Sequence, residues 1–496
     1  MLRETRTENG AVRGVACGWP SITAYYGIPY AAPPVGELRW RAPEPAEDWE
    51  GVRDCARPSD RCWQLGVTGD FFKREFYPVE EKFNEDCLYL NIWTPAKSKE
   101  EKCPVIFWIH GGAFMTGYGH SAHFDGEHFA RQGVILVTIN YRLNVFGWMV
   151  DPELTAESVY GASGNYGLLD QIAALKWVRR NIQNFGGDPD NITVAGQSAG
   201  AACVNALVCS PLTKGDISKA IFQSGGGVDA LPDMDYPRLC DVEARMNLKE
   251  SLGVASIAEA RTLPAEEVLK RWLATMPTQA IQRTPVVDGY VLTEATYETI
   301  MNGRQHDIPY LIGYTAKEGI VVTPDPEAYR SLAGFLYGDR REEYLTLCPE
   351  LEEHFPEYRD NFFTEALQAG CECWAEVIDG QETENPVYIY QLARDLPGDD
   401  KGPFHAADLW YVFKTFMRAW RPWTGRDFEV AVEMNSYWAN FARSGDPNGA
   451  RLPVWKPYTK ADPDTLLIGN EETAMEDVPE NERVAFRKGY LLGGKR

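Results

Sequence analysis

Apolar residues along this chain fall into two rhythms. Nearly unbroken apolar runs recur at 104–109, 134–140, 191–195, 219–223, 308–313 and 386–391, and short runs rich in Val, Ile and Phe predict strands buried on both faces. Between the second and third runs, Leu168, Ile172, Leu175, Val178 and Ile182 recur at helical spacing. That pattern predicts an amphipathic helix over roughly 168–185 whose apolar stripe is core packing. Strands alternating with helices predict an α/β fold, a mostly parallel central sheet flanked by helices.

At 496 residues the chain can bury a large core and could hold several average domains. The alternation nevertheless continues with no internal repeat and no Pro/Ser-rich or low-complexity linker, so 1–496 reads as one elaborated domain. The less regular stretches, about 60–84, 230–300 and 320–380, are where a mouth or cap would be built. The first carries Trp63, Phe71, Phe72, Phe76, Tyr77 and Phe83. Aromatics at that density either wall an apolar cleft or pack a satellite core of their own, and the sequence leaves both open.

Two motifs interrupt the apolar pattern with chemistry. Gly196-Gln197-Ser198-Ala199-Gly200 follows the apolar Ile192–Ala195 and precedes the helix-forming Ala201–Leu207. Strand, sharp turn and helix are the context in which a G-x-S-x-G run presents a nucleophilic serine. His110-Gly111-Gly112-Ala113-Phe114 follows the run ending at Ile109, and its small residues leave backbone N–H groups uncovered. Ester hydrolysis by a serine passes through a tetrahedral oxyanion, and pre-aimed N–H donors stabilise it by about 3 kcal/mol each. The natural donors are those of Gly112, Ala113 and Ala199.

In these motifs the chain resembles the type-B carboxylesterases, a group of α/β-hydrolases that includes bacterial para-nitrobenzyl esterases, liver carboxylesterases, cholinesterases and the catalytically dead neuroligins. The likeness runs nearly end to end through Tyr26–Tyr30, Pro33–Gly36, Glu85–Asn91, Asn140–Arg142, Gly164–Gln171, Phe185–Pro189 and Phe222–Gly225. It implies the α/β-hydrolase fold and a serine carboxylesterase acting on a small-molecule ester with neither cofactor nor metal. The alternatives within the resemblance are a specialised hydrolase of thioesters, carbamates, lactones or carbohydrate esters, and a non-catalytic binding protein, which would be expected to have lost a catalytic residue or the oxyanion glycines that this chain keeps.

A nucleophilic serine needs a base, and the base needs an orienting acid. His405 lies in a loop after the strand at Val387–Gln391 and matches the family's histidine. Glu318 ends the loop after the run at Tyr310 and matches the family's acid; the order Ser198, Glu318, His405 is the one this fold requires. Asp408 is the competing acid, though its placement suits a structural hydrogen bond better. The resemblance further implies a supporting role for Ser224, structural ion pairs Arg39–Glu85 and Arg142–Asp170, and a pairing of Cys62 with Cys87 that secreted relatives oxidise.

The remaining signals narrow the class. A formal charge of −23, from 49 basic and 72 acidic residues, repels phosphodiester backbones and anionic lipid, so nucleic-acid and membrane-surface partners are not expected. The charged first residues and the lack of an 18-residue apolar span predict a cytoplasmic protein. Eleven irregularly spaced cysteines fit neither a disulfide framework nor a zinc site, and a reducing compartment would leave them as thiols. His120, His123 and His128 lie close in sequence but match no recognised metal-ligand set. Asn191-Ile192-Thr193 fits the glycosylation pattern yet opens a core strand, and is discounted. An aromatic cleft of limited depth predicts short acyl chains on bulky or aromatic alcohols rather than long-chain lipids.

Overall fold

The computed structural model describes residues 1–66, 69–76, 82–228, 236–246, 248–275, 283–320 and 323–493. Its centre is an eleven-stranded sheet, here numbered in chain order: β1 Val15–Ala16, β2 Thr23–Pro29, β3 Tyr89–Thr94, β4 Cys103–Ile109, β5 Ile135–Ile139, β6 Gly187–Gln197, β7 Lys219–Gln223, β8 Tyr310–Thr315, β9 Val387–Leu392, β10 Thr465–Ile468 and β11 Thr473–Glu476. The spatial order is β11-β10-β9-β8-β7-β6-β4-β5-β3-β2-β1. From β5 through β4 to β10 all neighbours are parallel, while both margins are antiparallel. All six runs expected to be strands are strands, and the antiparallel margins were not foreseen.

Burial on both faces explains the unbroken apolar runs. Along β4, Val105, Phe107 and Ile109 enter one core cluster and Ile106 and Trp108 the other, as the two-residue period of a strand demands. The principal helices are α1 Asp70–Phe76, α2 Tyr166–Asn181, α3 Ala199–Cys209, α4 Leu351–Asp379, α5 Asp408–Val412 and α6 Gly425–Ser444. Helices α2, α3 and α4 cover the first face with Leu175, Val204, Leu367 and Trp374. The opposite face is covered by α5 and α6, through Trp410, Met434, Trp438 and Phe441. The expected helix over 168–185 is α2, continued by a tighter turn from Ile182 to Phe185.

Of the three stretches expected to be less regular, the second and third are largely helical among the described residues, while 60–84 holds one helix, α1, and two two-residue strands. Among the described residues, five short helices lie between Leu239 and Met301, and Leu248, Ile257, Val268 and Trp272 pack with Trp40 and Phe146 into a satellite core. Residues 326–379 are almost wholly helical and gather Tyr329, Tyr337, Phe355 and Phe362 into another. Their apolar positions serve small local clusters rather than the sheet, which hid the helical period. Both expected ion pairs form: Arg39 grips Glu85 with two contacts of 2.7 Å, and Arg142 holds Asp170 at 2.8 and 2.6 Å. Asn191 donates to the Arg443 carbonyl at 3.2 Å. Cys62 and Cys87 are buried free thiols with Sγ atoms 2.7 Å apart.

The chain enters the parallel sheet at β4, turns to β5 on one side and returns to β6 on the other. This reversal opens a crevice beyond the carboxyl ends of β4 and β6, where ligands bind in open α/β sheets. Residues 110–113, Ser198, Glu318 and His405 all follow the carboxyl ends of parallel strands.

Candidate active site

Ser198 stands between β6 and α3 with φ +57°. A non-glycine residue there costs on the order of 1–3 kcal/mol unless its surroundings fix it. They do: the Ser198 N–H donates to the Gln223 carbonyl at 2.8 Å, and its own carbonyl accepts from the Ala202 N–H at 3.0 Å. The turn is too tight for side chains, since a Cβ at Gly200 would lie 2.2 Å from the Ile109 carbonyl oxygen. The same closeness sets the end of β4 against the serine.

Residues 112–114 make a second turn with positive φ throughout, +120° at Gly112 and +53° at Ala113. Among the described residues, the N–H groups of Gly112, Ala113 and Ala199 have no hydrogen-bond acceptor. The His110 ring stacks on Tyr141 with centroids 4.5 Å apart, and burial pulls its pKa down to about 4. It is therefore neutral, and it braces the turn through Nδ1, 2.8 Å from the Gly111 carbonyl.

His405 precedes α5, and its Nδ1 hydrogen-bonds Glu318 Oε2. Glu318 is immobilised from three directions. Its Oε1 accepts from the Thr315 N–H at 2.8 Å, its N–H donates to Thr364 Oγ1 of α4 at 3.1 Å, and its carbonyl accepts from the His405 N–H at 3.0 Å. A carboxylate on Nδ1 favours the tautomer that leaves Nε2 as the acceptor. The Gln197 side-chain amide lies 3.1 Å from that Nε2, a contact the sequence analysis missed although Gln197 adjoins the serine.

Asp408 does not bond the histidine. Its Oδ2 accepts from Gln223 Nε2 at 2.8 Å and from the Tyr390 hydroxyl at 2.7 Å, and burial pushes its carboxyl above the usual range. Ser224, to which the resemblance gives a supporting role, has a buried Oγ with no hydrogen-bond partner among the described residues. The Ser224 N–H instead donates to the Gly313 carbonyl at 2.8 Å, so its contribution is to the backbone between β7 and β8.

Ser198, His405, Gly112 and Ala113 open onto one cavity of about 470 Å³. Its walls include Leu65, Phe72, Phe76, Phe124, Ile320 and Leu409, and no Asp, Glu, Lys or Arg lines it among the described residues. The aromatic stretch thus divides. Phe72 and Phe76 wall the cavity, Phe71 packs on Phe404 at 5.1 Å, and Trp63 and Phe83 pair at 5.9 Å; Tyr77 lies outside the described residues. His120 packs on Tyr118, whereas His123 faces the cavity. Neither they nor His128 belong to the cluster of possible metal-ligating groups found among the described residues, the exposed Glu350, Glu353 and His354.

Sheet order, strand-turn-helix at the serine and a site at the carboxyl ends of the parallel strands define an α/β-hydrolase. The chain belongs to the carboxylesterase family, whose sequence profile, described as "Carboxylesterase family", matches residues 2–368 and 341–487. It is similar to the fumonisin B1 esterase of Sphingopyxis macrogoltabida, 33% identical over 482 residues covering 92% of this chain and 84% of that protein. It is equally similar to the para-nitrobenzyl esterase of Bacillus subtilis (strain 168), 33% identical with 96% of each chain covered. A solved PNB esterase structure superposes with TM-score 0.82 at 31% identity, covering 98% of this chain and all of that one. A Geobacillus stearothermophilus carboxylesterase gives 0.75 at 33%, covering 97% and 99%. The protein is a carboxylic ester hydrolase. No helix among the described residues is long and apolar enough to cross a membrane.

Proposed function

We propose that Ser198 is the nucleophile, His405 its general base and Glu318 the acid that orients the base, acting on neutral esters of short acyl chains or of aryl and bulky alcohols. The observation that carries this is convergence: 110–113, Ser198 and His405, from three distant segments, line one cavity, and behind it Glu318 holds Nδ1 of His405 while the Gln197 amide lies at its Nε2, the position that Ser198 Oγ would take over in the reaction. Ser198 Oγ would give its proton to His405 Nε2 as it bonds to the ester carbonyl carbon. Charge on the former carbonyl oxygen would be met by the N–H groups of Gly112, Ala113 and Ala199. The carbon–alcohol bond then breaks, the leaving oxygen takes the proton from His405, and water repeats the sequence to free the acid and Ser198.

The lack of charged side chains in the described lining supports neutral substrates, because an ionic group beside it would lose its hydration without a partner there. One domain spanning 1–496, with 60–84, 230–300 and 320–380 as cap and gorge elements, is the organisation we infer, and a cytoplasmic location agrees with the free cysteines. A fluorophosphonate probe followed by peptide mapping tests the nucleophile. Labelling at Ser198 alone is expected, with loss of both label and esterase activity in Ser198→Ala; activity of that variant within tenfold of native would refute the assignment.

A further inference from the structure

His123 is a polar side chain set among the aromatic part of the cavity wall. Its ring is 6% exposed and is wedged among Phe76, Phe124 and Trp410, at centroid distances of 4.9, 4.0 and 5.8 Å. The Thr415 hydroxyl fixes its backbone by donating to the His123 carbonyl at 3.0 Å. Nδ1 is matched with Ser121 Oγ at 3.0 Å, and Ser121 also lines the cavity. Nε2 has no partner among the described residues, although the ring borders the cavity. A fixed, deeply buried side chain with one edge satisfied and the other turned to a ligand space is how a site reads a single polar group on its ligand.

Burial lowers the His123 pKa to about 3, so the ring is neutral near pH 7. Ser121 makes this neutral ring adaptable. When the hydroxyl donates to Nδ1, Nε2–H is a donor; when Nδ1–H donates to the hydroxyl, Nε2 is an acceptor. The position also indicates which half of the ester is read. The leaving oxygen must reach His405, and the wall beginning at Ala406 and Leu409 continues through Phe76 to His123.

We infer that His123, supported by Ser121, is a specificity-determining residue that hydrogen-bonds an uncharged polar substituent, a hydroxyl or carbonyl, on the alcohol portion of the ester. This rests on the proposed roles of Ser198 and His405. The substrate class is accordingly an ester of a bulky or aromatic alcohol carrying a second, neutral polar group.

Paired butyrate esters of benzyl alcohols bearing either hydroxymethyl or the equally bulky ethyl group, at the meta and para positions, provide the test. The methylene beside the ester oxygen insulates the leaving group, so the pairs differ mainly in the hydrogen bond. In the native enzyme the hydroxymethyl member of at least one pair should have a kcat/KM about tenfold or more higher. That ratio should fall to within about twofold of unity in His123→Leu and be partly restored in His123→Gln. As a measure that needs no variant, the free hydroxymethyl alcohol should inhibit the native enzyme more tightly than its ethyl counterpart. Equal turnover and equal inhibition within each pair, or a preference that survives in His123→Leu, would overturn the inference while leaving the hydrolase reading intact. Hydrolysis of no ester would overturn both.

Discussion

Glu318 and Asp408 are both buried carboxylates near His405, and their partners separate their roles. Glu318 reaches the imidazole, whereas Asp408 is occupied by an amide and a phenol from beneath. Glu318→Gln preserves shape but removes the charge that would stabilise the imidazolium. It should lower kcat by a factor of about 10⁴, as the analogous change does in a serine protease, with little change in melting temperature. Asp408→Asn should act chiefly on stability and lower kcat by less than about tenfold; steady-state rates on para-nitrophenyl butyrate, paired with thermal melts, decide between them. If Asp408→Asn is the deeper kinetic lesion at unchanged melting temperature, the acid is Asp408. Ser198 could be read locally, because elbow and helix are contiguous in the chain. The Gln197 amide at His405 Nε2 could not, because that contact joins β6 to a loop two hundred residues later.

Among elements, α1 is tied to the segment that carries His405. Glu75 on α1 has a wholly buried side chain and accepts from Trp410 Nε1 at 3.0 Å, Trp420 Nε1 at 2.8 Å and Arg421 Nε at 2.9 Å. Arg421 is buried too and reaches Asp399 at 3.0 Å. One turn of the same helix supplies Phe72 and Phe76 to the cavity, and Phe76 packs on Phe404 beside His405. Removing one partner strands a buried charge, so Arg421→Met should cost about 3–5 kcal/mol by denaturant titration. It should also raise KM for aryl esters, since the aromatic wall loses its anchor. An Arg421→Met variant with native stability and native KM would show that α1 is held by its aromatic packing alone.

For the molecule as a whole, buried neutral histidines set the acid limit of stability. Burial lowers His110 to about 4 and His123 to about 3, while an unfolded chain protonates near 6.5. Between these values the unfolded state binds more protons. The stability they contribute is therefore complete above about pH 6.5 and is lost as pH falls towards the folded-state values. At pH 5 each should have cost about 2 kcal/mol relative to pH 7.5. Urea titrations at the two pH values check this. Because the sequence pI is about 4.8, net charge shrinks over the same interval, so reduced self-repulsion would act in the opposite direction. Histidine NMR resonances of the folded protein that titrate near pH 6.5 would show instead that these rings are hydrated and protonated at pH 5.

The amino-acid pattern by itself determined the parallel core, the helix α2, the serine turn and the glycine-rich turn after β4. Each depends on neighbours in sequence: two-sided burial forces continuous apolar runs, and tight turns force small residues. The order of chemistry-bearing residues, with the family resemblance, extended this to Glu318 and His405. What only the tertiary structure decided involves partners brought together from afar. The antiparallel margins are set by strand direction, which depends on how distant segments pair and not on the composition of any one of them. Ser224 matches a family position, yet its hydroxyl has no hydrogen-bond partner among the described residues. His123, a histidine among others in sequence, becomes a polar side chain in the aromatic part of the cavity wall because α1 and α5 close around it, and no local pattern encodes which face of a loop that folding will leave towards a cavity.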